Sequence, residues 1–376
     1  MDLRWSAVDL EFRDEAREWL AANLPKGLPS GDTPDGFAQN LEWERQLFKA
    51  GWAAVGWPSS YGGRDASLWQ WLLFEEEYFR AGAPQRVNQN GIYLLAPSLF
   101  AFGTQHQKDV LLPRIAAATD LWAQGWSEPG SGSDLASLRS TARRTDSGWV
   151  LNGQKTWTTR GAYCTHLFGL FRTGAAGSRH RGLTYFLVPL TAPGVRVRGF
   201  ARLDGDQGFA EVFFDDVEIP EDAVLGEVDG GWEVAMATTG SERGISLRSP
   251  GRFLSAADRL VELVRSRQAS PESVRAVAHA WMRSRAYRDF SYQEATKVIK
   301  GSSVGARSSL SKLMWSELDL DLTQAARDVL GTESQLDDQW SRAFMFSLAG
   351  PIYAGTNEIQ RNIVAERLLG LPRGQS

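Results

Sequence analysis

Cysteine is nearly absent from this chain of 376 residues: Cys164 stands alone, which excludes an internal disulfide framework and every CxxC zinc or redox motif. A reducing compartment is the natural home of such a protein. Histidine is almost as scarce. His106, His166, His180 and His279 lie too far apart in sequence for HExxH or a similar local metal motif, and the alternating Cys164 and His166 read as packing or solvent-facing strand residues, so no metal is expected. Neither sign of charge dominates. Lys and Arg total 41 against 45 Asp and Glu, interspersed and without a basic tail, which argues against a dedicated nucleic-acid binder. No apolar run approaches the ~18 residues of a membrane helix, and MDLRWSAVDLEFRDEAREWL has no leader-like apolar core. The expectation is a soluble cytoplasmic protein whose partner is a small molecule or another protein.

What is present is an ordinary globular composition, long enough for two or three domains of ~150 residues each. Up to about residue 120 the spacing is helical. Val8, Phe12, Ala16, Trp19 and Leu20 share a face before Asn23-Leu24-Pro25; Ser67 to Arg80 ends at Gly82 and Pro84; Thr104-Gln105-His106-Gln107 has the form of a capping box. From about Leu121 to Gly230 strand signals take over. Asn152-Gly153 predicts a hairpin turn between Trp149–Leu151 and Lys155–Thr158, and 183–190, 195–200 and 211–214 read as further strands. Helical segments return near 232–267, 272–300, 306–330, 337–348 and 357–369, with Ser270-Pro271 as N-cap and first helical residue of the second. The expected organisation is α+β: a helical domain over 1–120, a small β domain over 121–230 and a helical domain over 231–376.

Three segments carry chemistry. Trp126-Ser127-Glu128-Pro129-Gly130-Ser131-Gly132-Ser133-Asp134 is a Gly/Ser loop able to present N–H groups and hydroxyls to a polar ligand; taken alone it reads as a solvated turn, lacking a P-loop lysine and GxGxxG spacing. Lys155-Thr156-Trp157-Thr158-Thr159 follows at the spacing of a strand returning beside that loop. Ile352-Tyr353-Ala354-Gly355-Thr356-Asn357-Glu358-Ile359-Gln360-Arg361 joins a tight turn to a helix start that Thr356 or Asn357 can cap. With Phe213-Phe214-Asp215-Asp216-Val217-Glu218-Ile219-Pro220 ahead of Leu225-Gly226, their order resembles the acyl-CoA dehydrogenase family from about Phe12 to Arg373.

The resemblance implies FAD, N-terminal helices, a small β-barrel-like middle domain, a C-terminal four-helix bundle and usually a tetramer. It implies α,β-desaturation of an acyl thioester, in which a carboxylate removes the α-proton while the β-hydrogen leaves as hydride to flavin N5. Such a proton is too weakly acidic for a free carboxylate, so the thioester oxygen needs hydrogen-bond donors and the base a water-poor setting. Carried over by motif, Gln124, Trp126, Ser127 and Ser133 line the flavin or the thioester, Ser133 serving the substrate too. Trp157, Thr158 and Thr159 flank the isoalloxazine, and Thr356 and Glu358 reach FAD; without the surrounding motifs Trp157 would read as a half-buried strand tryptophan.

The base departs from the commoner pattern, because Ala354 stands where many members carry a glutamate before the Gly-Thr of the C-terminal turn. Its N–H can still serve the thioester oxygen beside Tyr353 and Gly355, but a methyl group accepts no proton. Other members place the base before an arginine on the first helix of the C-terminal domain, which here is Glu242 in Ser241-Glu242-Arg243-Gly244, with Arg243 orienting the substrate side. Glu233, Glu227 and Asp204 are weaker alternatives, and on an arbitrary helix Glu242-Arg243 would be a solvated pair. Leu94, Leu95 and Leu99 are candidates for the acyl tunnel or for plain core. The Arg-x-x-Phe-Gly segment of many members is unrecognisable near Arg265-Ser266-Arg267-Gln268, and their Gly-Gly turn reads Leu330-Gly331-Thr332-Glu333, so a partner chain is implied as an alternative to a homo-oligomer. Expected partners are an acyl-CoA, or a carrier-protein thioester as the alternative, and an electron-transfer flavoprotein. An oxidase, monooxygenase or desulfinase on the same fold and a non-catalytic subunit are the competing readings; a DNA-binding role, known in this superfamily, meets no basic surface here.

Overall fold

Side-chain caps decide where several helices begin. Ser6, Ser67 and Thr104 each close a reciprocal capping box with the residue three positions on, satisfying backbone N–H groups that a helix start leaves unpaired. The computed structural model describes residues 4–175, 178–243, 247–302 and 305–373. Its helices are α1 Ala7–Asn23, α2 Pro34–Lys49, α3 Leu68–Arg80, α4 Ala96–Phe102, α5 Gln105–Ala116, α6 Gly231–Arg243, α7 Pro250–Arg265, α8 Pro271–Ile299, α9 Ser308–Leu330, α10 Gln339–Ser347 and α11 Asn357–Ile363. Between α5 and α6 run the strands β1 Trp122–Gly125, β2 Thr141–Thr145, β3 Gly148–Thr159, β4 His166–Arg172, β5 Leu183–Pro189, β6 Val195–Phe200, β7 Phe209–Ile219 and β8 Val224–Leu225. The order helices, strands, helices is the α+β arrangement expected from the sequence.

The described chain forms two compact units. One unit comprises residues 25–65 and 84–241, so it holds α2, α4, α5, the strands and most of α6. Its sheet order is β6-β7-β3-β2-β4-β5-β8, with β1 beside β4. β2 meets β4 only at Thr141 and Arg172, so the strands fall into two halves. Trp149 and Phe214 of one half pack edge-on against Phe186 and Phe171 of the other, inside a core that includes Leu151, Leu167, Val188 and Val217.

Asn152-Gly153 corrects the sequence reading. The chain turns instead at Asp146-Ser147, where Thr145 pairs with Gly148, and β3 runs straight through Asn152 and Gly153. There the register against β7 shifts, Asn152 exchanges hydrogen bonds of 2.9 and 3.0 Å with Asp216, and Gly153 has φ 139° with its Cα facing Ser140. The extra residue of that bulge lies in β7, where Asp215 and Asp216 fall between the partners of Leu151 and Gly153 and Asp216 has φ 47°, so the dipeptide stays in the strand opposite it.

The second unit comprises the N-terminal residues through Leu24, 66–83 and Glu242 onward. Helices α7, α8 and α9 surround Phe253, Ala257, Tyr287, Trp315, Leu318 and Leu322. α3 lies so close to α7 that a side chain at Gly251 would strike the Glu75 carbonyl. The single helix expected over 232–267 is two, because Ser249 precedes Pro250 at the first position of α7, where the missing proline N–H costs nothing. The last expected helix, 357–369, is α11 continued by a π-type turn over Val364–Leu368. Among the described residues no helix is long and apolar enough to cross a membrane.

Candidate active site

In the strand-bearing unit, β1 carries Gln124 and leads into Trp126 and Ser127. The Thr156 N–H donates to the Ser127 carbonyl at 2.8 Å, so this loop runs alongside β3. Glu128 and Ser131 exchange backbone hydrogen bonds of 2.8 and 3.0 Å, which folds Pro129-Gly130 into a tight turn and leaves Ser133 exposed beyond it. A buried ion pair holds the arrangement. Lys155 Nζ is 2.8 Å from Glu128 Oε1, while the Glu128 carboxylate also accepts from the N–H groups of Arg139 and Ser140 at 2.6 and 2.9 Å. Burial pushes the Lys155 ammonium down to about 8. Burial would raise Glu128, yet Lys155 and the two residues after Leu138 outweigh it and hold the carboxyl below its ordinary value.

Trp157 is not the half-buried strand residue that its neighbours suggest. It has φ 57°, is 61% exposed, and stands edge-on against Phe200 and Phe209 at centroid distances of 5.3 and 5.6 Å. A bulky residue in left-handed backbone is strained, and such strain collects at functional positions. Thr158, next in the strand, is fully buried and Thr159 half-buried. The hydroxyl of Thr158, the Gln124 side-chain nitrogen and the Trp126 indole N–H are all buried, with no partner among the described residues. Leu94, Leu95 and Leu99 are buried in the helical part of this unit, the first two on a π-type turn.

In the other unit, α6 ends on Glu242 and Arg243; Gly244 lies outside the described residues. Arg243 Nε donates to the Ala354 carbonyl at 3.0 Å, and burial lowers the guanidinium's pKa while the Glu242 charge opposes the shift. Ala354 and Gly355 are consecutive left-handed residues with φ 57° and 80°. A Cβ on Gly355 would lie 2.4 Å from Gln360 Nε2 and 2.9 Å from Arg243 Nη2, so only glycine fits. Tyr353 stacks on Trp315 at 5.6 Å, and its hydroxyl accepts from Arg248 Nη2 at 3.2 Å. Thr356 caps α11 through the Ile359 N–H, and the Glu358 carboxyl is held below its ordinary value by its own N–H and the Thr356 hydroxyl.

Three site-building groups escaped the sequence reading. Lys312 on α9 is fully buried and donates to the Gly350 carbonyl and to Asn357 Oδ1, while Gln360 is buried with both polar side-chain atoms unpaired among the described residues. Asp32 bridges Arg160, next after Thr159, and Arg202 at 2.6 and 2.5 Å. Lys312 sits among serines on α9, a composition that reads as a solvated face. Of the weaker base candidates, Asp204 is committed to Arg202 at 2.8 Å. Cys164 is pushed up to about 12 by burial, and His166 stacks on Trp122 with Nδ1 2.8 Å from the Thr165 hydroxyl. The two segments that depart from the family pattern meet each other, Arg267 pairing with Glu333 at 2.6 Å.

Family models describe nearly the whole chain in sequence order: the acyl-CoA dehydrogenase N-terminal domain over residues 6–119, the middle domain over 123–217 and the C-terminal domain over 229–369. The chain belongs to the acyl-CoA dehydrogenase family and is a flavin-dependent oxidoreductase of that class. It is 43% identical to acyl-CoA dehydrogenase IpdE1 of Mycobacterium tuberculosis over 96% of this chain and 98% of that protein. The solved Tcur3481-Tcur3483 steroid ACAD is 26% identical with a TM-score of 0.89, covering 100% of each chain. The ChsE4-ChsE5 complex from Mycobacterium tuberculosis is 29% identical with a TM-score of 0.86, also over 100% of each.

The residues fit the family's flavin. An unpaired buried hydroxyl, amide or indole N–H costs about 1–3 kcal/mol, and three of them on β1, its following loop and β3 suit a ligand edged with ring nitrogens and carbonyl oxygens.

Proposed function

We propose that the chain catalyses α,β-desaturation of an acyl-CoA thioester, with Glu242 taking the α-proton. The observation that carries this reading is the set of unpaired buried groups on Gln124, Trp126 and Thr158, which with Ser127, Trp157 and Thr159 would hold FAD. The family motif also assigns Thr356 and Glu358 to FAD, and Ser133, Tyr353 and Gly355 to the substrate. FAD, when bound, supplies the two-electron acceptor for the β-hydrogen. Glu242 is half-buried at the end of α6, directly before Arg243, and offers a carboxylate that can accept a proton. Ala354 offers no carboxylate, but among the described residues no protein group accepts from its N–H, which leaves that donor for the developing negative charge on the thioester oxygen.

Electrons then pass to an electron-transfer flavoprotein. Two neighbours guide the finer reading: one is named as a steroid ACAD and another is a complex of unlike chains. A ring-bearing acyl group and assembly with a partner chain, in a tetramer, follow as the working assignment. The Arg267–Glu333 pair supports the partner, because the arginine of the altered segment is already engaged within its own chain.

The test is the visible spectrum of the purified protein, alone and co-expressed with candidate partner chains, followed by anaerobic titration with linear, branched and cyclic acyl-CoA thioesters. Bleaching with one acyl class supports desaturation and identifies the substrate. A flavin-loaded protein that no thioester bleaches sinks the reading; bleaching by a carrier-loaded acyl group alone replaces CoA with the carrier, and stoichiometric peroxide in air replaces the dehydrogenase with an oxidase.

A further inference from the structure

The turn from Gly350 to Asn357 is gripped from two sides by cations. On one side Arg243 holds the Ala354 carbonyl at 3.0 Å. On the other Lys312, one of the few lysines with no exposed surface, donates to the Gly350 carbonyl at 2.8 Å and to Asn357 Oδ1 at 2.7 Å. The Asn357 amide is itself fixed, accepting from the Ser316 hydroxyl at 3.1 Å while the Asn357 N–H donates to the Pro351 carbonyl at 2.8 Å. Lys312 thus bonds both ends of the segment that carries Tyr353, Ala354 and Gly355. Burying an ammonium is expensive, and here burial, then the charge of Arg243, pushes it down to about 8. The neighbouring carboxylates of Glu358, Glu242 and Glu317 act in the opposite direction.

A merely structural lysine would cost stability when replaced, because its buried acceptors would be left unpaired. What this one does in addition is span a strained turn. Two successive left-handed residues, one of them an alanine, do not keep that conformation unaided, and between the two clamps the Ala354 N–H is left without an acceptor among the described residues. We propose that Lys312 is a positioning residue that holds the Gly350–Asn357 turn so that the Ala354 N–H keeps the single orientation needed to polarise a thioester carbonyl. This rests on the desaturation reading above. A donor displaced by about 1 Å loses about 100-fold in rate, so the clamp acts on the transition state more than on binding.

The experiment uses the full chain with FAD, and with its partner chain where one is needed. The probe is an acyl-CoA labelled with carbon-13 at the thioester carbonyl, read by difference infrared spectroscopy, alongside kcat and KM. In the wild type the carbonyl stretch moves to lower frequency on binding. Lys312→Met removes the ammonium and keeps the stem: the expected result is loss of most of that shift and about a 100-fold lower kcat with KM within about threefold. Lys312→Arg restores part of both. Asn357→Ala, which frees one end of the turn, is the second variant should Lys312→Met fail to fold, and it is expected to weaken the shift in the same direction. A folded, flavin-loaded Lys312→Met or Asn357→Ala protein with an unchanged stretch and unchanged kcat overturns the positioning role and leaves desaturation standing. A wild type that binds the thioester without any shift overturns both.

Discussion

Lys155 Nζ lies 2.8 Å from Glu128 Oε1, and the lysine that forms this bond has no exposed surface. The pair joins β3 to the loop after β1, and the Glu128 carboxylate reaches on to the backbone of Arg139 and Ser140. Removing one partner strands a buried charge. Lys155→Met is expected to lose about 3–5 kcal/mol in urea unfolding, while Lys155→Met combined with Glu128→Leu recovers more than half of it. Additive losses in the double variant would show that the two groups act separately.

Glu242→Gln keeps the shape and hydrogen bonding of the side chain but removes its basicity. Turnover with the best acyl-CoA is expected to fall by about 1,000-fold or more, with thioester affinity within about threefold. Stopped-flow reduction of the flavin separates the two quantities. Wild-type reduction rates in this variant would return the base to Glu233 or Glu227.

Thr158→Val replaces an unpaired buried hydroxyl by a methyl of equal size. Without FAD the variant should be as stable as the wild type or more so by up to about 1 kcal/mol, whereas retention of FAD should weaken about tenfold. Thermal unfolding of the flavin-free protein and equilibrium dialysis of FAD read the two effects. Equal loss of stability with and without FAD would make Thr158 a packing residue.

Asp32 is half-buried, and its desolvation by itself would raise its pKa, but Arg160 and Arg202 outweigh it and hold the carboxyl below its ordinary value. A folded-state value below the unfolded ~3.9 means that the carboxylate stabilises the fold above about pH 4 and loses this contribution as pH falls through the lower folded value. Asp32→Asn is expected to lose about 3 kcal/mol at pH 7, with the gap to wild type closing below about pH 4. Urea titrations from pH 7 to pH 2.5 follow it; a gap that persists undiminished into acid would mean that the amide fails for reasons of shape.

The helix starts were legible because capping is settled within four residues. Thr104 meets the Gln107 N–H, and Ser270 meets the Ser273 N–H, whatever the rest of the molecule does. The motif order was legible too: Ser127 and Thr156 are brought together by strand pairing that their spacing already suggested, and Arg243 reaches the turn whose alanine pointed attention to Glu242. By contrast, Asn152-Gly153 has the local preference of a hairpin turn, and only the pairing of β3 with β7, whose bulge at Asp215-Asp216 lies opposite, keeps the dipeptide inside a strand.

Sequence by itself therefore determined the class, the helix boundaries that short-range hydrogen bonds govern, and the family motifs, with Ala354 ahead of Gly355-Thr356. Tertiary structure decided which charged groups lie inside. Nothing near Lys312 or Lys155 in sequence distinguishes them from solvated lysines, since their acceptors at Gly350, Asn357 and Glu128 are 38, 45 and 27 residues away. Burial of a charge is affordable only where distant groups converge on it, and that convergence exists only once the chain has folded.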